Sequence, residues 1–382
     1  MKIKDNNLNW TLNVIARVFV GIVFLFSSFV KGVDPLGTSY KITEYLTAWS
    51  FFGMSFEWLV PMATVMAMGL IVAEFTVGVM LIFGCFRKFS AWLLALMMLF
   101  FTCTTLIDAI TNQVTDCGCF GDAVKLTNWQ TFWKNIVLDV PTVWILLTCN
   151  LRNKKRFERD FLITVFAAIL MVIFGLYNIN NEPCIDFRSW KVGNQMVDTD
   201  ESLQVQSYVT YRNKQTGETK EFKSEELVAM MADPEWEEAW EWESSRVVDP
   251  HEIKADGFSM LDMDMNDHAQ ELIASPDYLL IATIHHLDKV DDKGARALRH
   301  TFDFAEQSGI QMVLLSSALP EETQSFLYSN KLDNMEFFFA DMTAIETMLR
   351  SNPGFILLKD GKVLGKWHYR HASDITEFKF QE

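Results

Sequence analysis

Two thiols one residue apart, in Asp116-Cys117-Gly118-Cys119-Phe120-Gly121-Asp122, are the residues of this chain best placed for chemistry. A disulfide between Cys117 and Cys119 would close a very small ring around Gly118, and strained, exposed disulfides are the more oxidising and labile ones. Glycine accepts the backbone angles such a ring imposes. Asp116 and Asp122 work the other way, because neighbouring carboxylates raise a thiol pKa and thin out the attacking thiolate. Cys184 is a third thiol within reach of the same membrane face, either as a resolving partner or as one half of a permanent bond. Cys85 and Cys149 fall at the far ends of their apolar runs, and Cys103 lies inside one. Four readings stay open: a structural disulfide involving Cys184, a redox relay, passive thiols, and metal binding. Structural zinc wants four Cys/His ligands, and the first half of the chain holds no histidine.

Three charged residues form a second group. Arg17, Glu74 and Asp139 each sit inside an apolar run, at a depth of roughly 9–15 Å by the 1.5 Å helical rise. A lone charge there costs at least about 2.5 kcal/mol, so the three are expected to meet in an intramembrane polar cluster. As a structural group it would fix helix register; as a functional one it would serve protons or a quinone head.

Elements able to position these groups follow from hydropathy. Apolar runs at about 11–31, 58–83, 89–110, 132–149 and 161–178 are each near the ~20 residues that cross a bilayer, which predicts five transmembrane helices in a bundle spanning 1–180. The first run is too long for a cleaved signal and has no small-residue cleavage site after it. Arg87 and Lys88 lie between the second and third runs, and Arg152, Lys154, Lys155, Arg156 and Arg159 between the fourth and fifth. The positive-inside rule then makes the amino terminus cytoplasmic and puts the Cys117/Cys119 loop and residues 181–382 outside. Residues 40–49 repeat apolar and aromatic positions at three and four, as an interfacial helix does.

The second half carries the excess negative charge behind the net −16. Nucleic acid is excluded as a partner, because phosphate binding needs a basic face. Six cysteines in 382 residues are too few for a disulfide scaffold, so any redox role is local. Residues 181–255 read as an acidic, β-rich connector: Leu203–Tyr211 alternates, Thr216-Gly217 marks a turn, and Thr219–Lys223 returns as a hairpin. The segment 234–246, with Trp236, Trp240 and Trp242, reads as a solvated helix packing its tryptophans, or as a docking surface. Residues 256–382 alternate strand and helix: strands at 277–284, 312–315 and 337–339, helices at 293–307, 321–330 and 343–350, then a hairpin across Asp360-Gly361. The expected class is a membrane helical bundle joined to an α/β domain with a mixed sheet.

The membrane half resembles the DoxX family and its MauE branch over about 10–150. The residues that carry this are Arg17 with Gly21–Phe24, Lys31-Gly32-Val33-Asp34-Pro35, Glu74-Phe75-Thr76-Val77-Gly78 and the Cys-Gly-Cys-Phe-Gly-Asp string. The resemblance implies a helical-bundle subunit of a bacterial inner membrane, tied to maturation of a disulfide-rich periplasmic protein and architecturally related to quinone-linked thiol oxidoreductases. Quinone is therefore the one cofactor it suggests, beside membrane lipid and an envelope protein as partners.

Residues 256–370 resemble the TlpA-like branch of the thioredoxin superfamily, with Pro353 at the position of that family's cis-proline. Where the family's Cys-x-x-Cys would stand, this chain has His285-His286-Leu287-Asp288, and the domain holds no cysteine. His285, His286, Asp288 and Pro353 are expected to rim a groove for a substrate or partner. No metal is expected there, because adjacent histidines at a strand end point apart. Two function classes follow: a thiol–disulfide relay through Cys117, Cys119 and Cys184, and a non-enzymatic, membrane-anchored assembly or binding factor.

Overall fold

Gly21 and Gly78 set the register of the helical half. In the computed structural model, which describes residues 7–51, 54–112, 114, 118–124, 126–151, 156–200, 202–231, 234–255 and 257–380, the helices α1 (Asn7–Val33) and α3 (Ala63–Phe83) run antiparallel with these glycines face to face. A Cβ on Gly21 would lie 3.0 Å from the Gly78 carbonyl oxygen, and one on Gly78 3.1 Å from that of Gly21. Small residues at such a crossing let two backbones approach, which is the main source of packing energy where lipid removes the hydrophobic drive.

Between them comes α2 (Pro35–Ala48), started by Asp34, whose carboxylate accepts the Gly37 N–H at 2.9 Å. A two-residue ladder (β1, Ser50–Phe51; β2, Met54–Ser55) and a 3₁₀ turn (Glu57–Met62) lead into α3. Then follow α4 (Arg87–Thr111), α5 (Asn128–Thr148) and α6 (Phe157–Asn180). Val20, Phe24, Leu81, Leu94, Met98 and Ile145 make the buried centre.

Among the described residues, four helical stretches are long and apolar enough to cross a membrane: Asn7–Val33, Glu57–Phe83, Arg87–Thr111 and Phe157–Asn180. The run expected at about 132–149 forms as α5, with 21 residues, but is less apolar. Its polar residues are inward: Asn135 donates to Thr105 Oγ1 at 3.1 Å, and Asp139 accepts from Thr102. Trp133, Val137, Val140, Val143 and Leu147 point out, at helical spacing. Of the stretch 40–49, expected to be helical, residues up to Ala48 lie in α2.

After α6, Arg188 is buried and donates to Asp186 at 2.7 and 3.0 Å and to Glu182 at 3.2 Å. The two carboxylates raise its pKa against the opposing effect of burial. Removing it leaves two partly buried carboxylates facing each other, so Arg188→Ala should lower stability by about 3 kcal/mol. A thermal melt of the purified protein indistinguishable from wild type would refute this.

Residues 189–382 form a second compact unit, distinct from 1–188. One sheet holds β3 (Gln206–Asn213), β4 (Thr219–Lys223) and β5 (Trp240–Val248) in the order β4-β3-β5, all antiparallel. Two short helices, α7 (Ser224–Met230) and α8 (Pro234–Ala239), join β4 to β5. The helix expected over 234–246 therefore stops at Ala239, and Trp240 onward pairs with β3 as a strand. Ladder hydrogen bonds to β3 outweigh the local helical pattern there, as tertiary context commonly does.

The larger sheet follows α9 (Ala269–Ile273) and contains β6 (Leu279–Ile284), β7 (Gln311–Ser316), β8 (Glu336–Phe339), β9 (Gly354–Lys359) and β10 (Lys362–His368). Its order is β10-β9-β6-β7-β8, with β6, β7 and β8 parallel and β9 antiparallel to both its neighbours, β6 and β10. All six residues of β6 are buried, as a central strand covered on both faces must be. The helices α10 (Asp292–Ser308), α11 (Pro320–Ser329) and α12 (Met342–Met348) are its crossovers. One face packs Leu298, Phe302 and Phe355; the other packs Ile281, Val313 and Met348 together with Trp190, Met196 and Val197 from the start of the unit. The Asn352–Pro353 peptide is cis.

Candidate functional site

A cavity of about 420 Å³ opens inside the helical bundle, walled by side chains of α1 to α5 and by Gly118, Cys119 and Phe120. Leu70, Met98, Phe101 and Leu138 make its wall apolar, and two charged groups stand in it as a pair. Lys31 Nζ lies 2.7 Å from Glu74 Oε1, both side chains being almost completely buried. The ammonium also sits 5.6 Å from the Phe101 ring centre, over its electron-rich face. The helix register explains the pairing: with Gly21 opposite Gly78, Glu74 falls one turn further along, against Ser27 and Lys31.

Ser27 ties this pair to the cysteine loop. Its Oγ is 2.8 Å from the Cys119 carbonyl oxygen and 3.2 Å from Glu74 Oε2, so one hydroxyl proton is shared between two acceptors. The loop closes as a turn, with Gly121 N–H donating to the Gly118 oxygen at 3.0 Å and both glycines at positive φ. Phe120 packs 5.5 Å from Phe26 and lies beneath Lys134 Nζ at 4.5 Å. On the α2 side, Tyr45 donates to Asp108 Oδ2 at 2.6 Å and stacks edge-on against Trp49. Cys119 is thus held at the wall of an apolar cavity; Cys117 lies outside the described residues. Cys184 is exposed, its N–H held by Asn178 Oδ1 at 3.0 Å, and among the described residues no disulfide joins it to another cysteine.

The expected cluster of Arg17, Glu74 and Asp139 does not form. Arg17 packs its guanidinium against Gly84, at the far end of α3 from Glu74. Glu74 takes Lys31, and Asp139 takes the Thr102 hydroxyl at 2.9 Å. Depth measured from helix ends assumed equal end positions, whereas the Gly21–Gly78 contact slides α3 relative to α1. Lys31 was the missed partner, and the signal for it was the pair of glycines.

In the second unit, β6 delivers His285 and His286, and the loop before β9 delivers Pro353. Asn352 clamps the histidine backbone: its Oδ1 accepts the N–H of His285 at 3.0 Å and of His286 at 3.3 Å, while its Nδ2 donates to the His286 oxygen at 2.7 Å. Ser317 Oγ donates to the His285 oxygen at 2.8 Å. Pro353 is buried against Gly294 in the first turn of α10, and Asp288 is exposed in a 3₁₀ turn. The two imidazole rings do not splay apart; their centres are 5.4 Å apart at 82°. Glu346, from α12, comes to the same place. Burial lowers the His285 pKa to about 4, lowers that of His286, and raises that of Glu346 to about 7. Sequence reasoning missed Glu346 because nothing local marks a helix residue that reaches the end of a strand sixty residues earlier.

Residues 8–148 match the family model described as methylamine utilisation protein MauE. The match spans α1 to α5, including the cavity, the Lys31–Glu74 pair and Cys119. Together with the four apolar helices, this similarity supports an integral membrane protein that resembles MauE over residues 8–148, with α6 and the sheet-bearing unit lying beyond the match. No curated protein and no solved structure matches the chain.

Proposed function

We propose that this MauE-type protein is a membrane thiol–disulfide relay. Cys117 and Cys119 pass oxidising equivalents to an envelope protein and are reoxidised by a lipid-soluble quinone in the bundle cavity. The observation that carries this reading is the placement of Cys119 on the wall of an apolar, aromatic cavity that also presents a buried ammonium. A quinone ring suits those walls, and the Lys31 ammonium, which has three N–H groups, is a donor of the kind a quinone oxygen accepts. When bound, the quinone would supply a two-electron oxidant.

The chemistry balances as follows. A substrate thiolate attacks one sulfur of the Cys117–Cys119 disulfide, a second substrate thiol resolves the mixed disulfide, and the relay is left as a dithiol. Return of the dithiol to the disulfide releases two electrons and two protons, which a quinone bound in the cavity would take up.

In this reading α5 is the fifth span, supported by its outward row of Trp133, Val137, Val140, Val143 and Leu147. The basic loops orient the chain with its amino terminus in the cytoplasm, so the cysteine loop and residues 181–382 are periplasmic. Residues 256–382 act as a thioredoxin-like domain without thiols, a reading supported by the β10-β9-β6-β7-β8 order and the antiparallel β9 and β10. It would present the substrate protein rather than oxidise it.

The test is mass-tag alkylation of the full chain in detergent, after reduction and with added ubiquinone. The expected result is conversion of both loop thiols to a protected pair, with complete loss of quinone-dependent protection in Cys119→Ser. A pair that stays alkylatable with quinone present sinks the relay. The remaining reading is then a membrane-anchored assembly factor, favoured by the stacked Trp236 and Trp240 at 5.4 Å and the exposed Trp242 beside them.

A further inference from the structure

The sheet unit carries a group that the relay does not use. His285, His286 and Glu346 each offer one ligand atom, and these atoms lie within 4.8 Å of one another. Two imidazoles and one carboxylate are the donors of a borderline first-row cation, not of magnesium or calcium, which take oxygen. We propose that these three residues form a binding site for a divalent transition metal of the zinc class, with a fourth position left open.

Geometry supports it in three ways. In a tetrahedral site with bonds of about 2.1 Å the ligand atoms stand about 3.4 Å apart, so small side-chain rotations close the present spacing. The histidine backbone is held independently of the rings, because Asn352 takes both N–H groups and returns a hydrogen bond to the His286 oxygen. His285 also has the outer partner of a metal-bound imidazole: Nε2 is 3.3 Å from the Arg350 carbonyl oxygen, which selects the tautomer with a proton on Nε2 and a lone pair on Nδ1.

The surrounding charges bear on affinity. Lys289 and Arg350 lie close enough to oppose a cation, while Glu346, Asp288 and Asp341 favour one. The position matters too, since the site is built where β6 ends and Pro353 approaches, and the three protein ligands leave room for a water or a partner's side chain. Three ligands and an open position are the pattern of reactive rather than structural zinc.

The experiment uses the full chain in detergent with Cys117→Ser and Cys119→Ser, so that the loop thiols bind nothing. After chelator treatment, Zn²⁺ is titrated by calorimetry and Co²⁺ by its visible spectrum, in this background and with His286→Ala or Glu346→Gln added. Both added changes are at partly exposed side chains, and circular dichroism checks that each variant is folded. The expected result is one Zn²⁺ per chain and a tetrahedral cobalt spectrum, with affinity reduced at least about tenfold by either substitution. Absence of binding at micromolar Zn²⁺, or binding that either folded variant retains unchanged, overturns the proposal. Neither outcome depends on the loop thiols, so this site stands or falls separately from the relay.

Discussion

Glu74→Gln should destabilise the membrane bundle by about 3–5 kcal/mol, because it takes the carboxylate away from an ammonium that has almost no access to solvent. Lys31→Met should cost a similar amount by leaving the carboxylate without its cation. The double variant Lys31→Met/Glu74→Gln removes both charges and should recover much of the loss, so the two single effects are strongly non-additive. Thermal unfolding of the purified protein in one detergent, followed by its helical signal, reads all four proteins. Single variants that melt with the wild type would show that the pair is not held as described. The double variant separates stability from use: if it is folded but no longer oxidised by quinone, the ammonium itself serves the cavity.

The second large effect is expected in the other unit, at Gly361. This residue has φ +72°, and a Cβ there would be driven into the Val197 carbonyl oxygen. Its own carbonyl accepts from Met196 N–H at 2.7 Å and its N–H donates to the Ile273 oxygen at 3.0 Å, so the backbone is pinned on both sides. Gly361→Ala therefore adds about 1–2 kcal/mol of left-handed strain to about 1–3 kcal/mol of overpacking. Because the hairpin it turns carries β9, neighbour to the central strand, the damage should spread through the sheet. Limited proteolysis of the full chain reads this directly: residues 189–382 should be cut much faster than in the wild type. Equal resistance would mean that the 195–197 segment moves aside freely.

Much of this architecture was legible beforehand, and for identifiable reasons. The expected run at 58–83 is realised as Glu57–Phe83, and that at 89–110 lies within Arg87–Thr111, because hydropathy over twenty residues is a strong signal. Thr219–Lys223 forms as a strand with those bounds, and Asp360-Gly361 turns the hairpin as a two-residue turn should. What was not legible depends on sliding or reach. The partner of Glu74 was obscured by the offset between α1 and α3. The strand from Trp240 to Val248 was obscured by a partner strand, Gln206–Asn213, thirty residues earlier. Glu346 was invisible because the fold, not the spacing, carries α12 to the end of β6. For the same reason the histidines that looked unsuited to sharing a ligand stand at a usable angle: the chain leaves the strand under the grip of Asn352.

Ser27 has a consequence of its own. A hydroxyl has a single proton to give, and here two oxygens compete for it, one on the cysteine loop and one on a buried carboxylate. Whatever draws the Cys119 carbonyl away turns that proton wholly toward Glu74, easing its negative charge and slackening its hold on Lys31. Whatever strengthens the claim of Glu74 loosens the loop. The loop and the ion pair are therefore joined through one hydroxyl, and Ser27→Ala would take that shared proton from both.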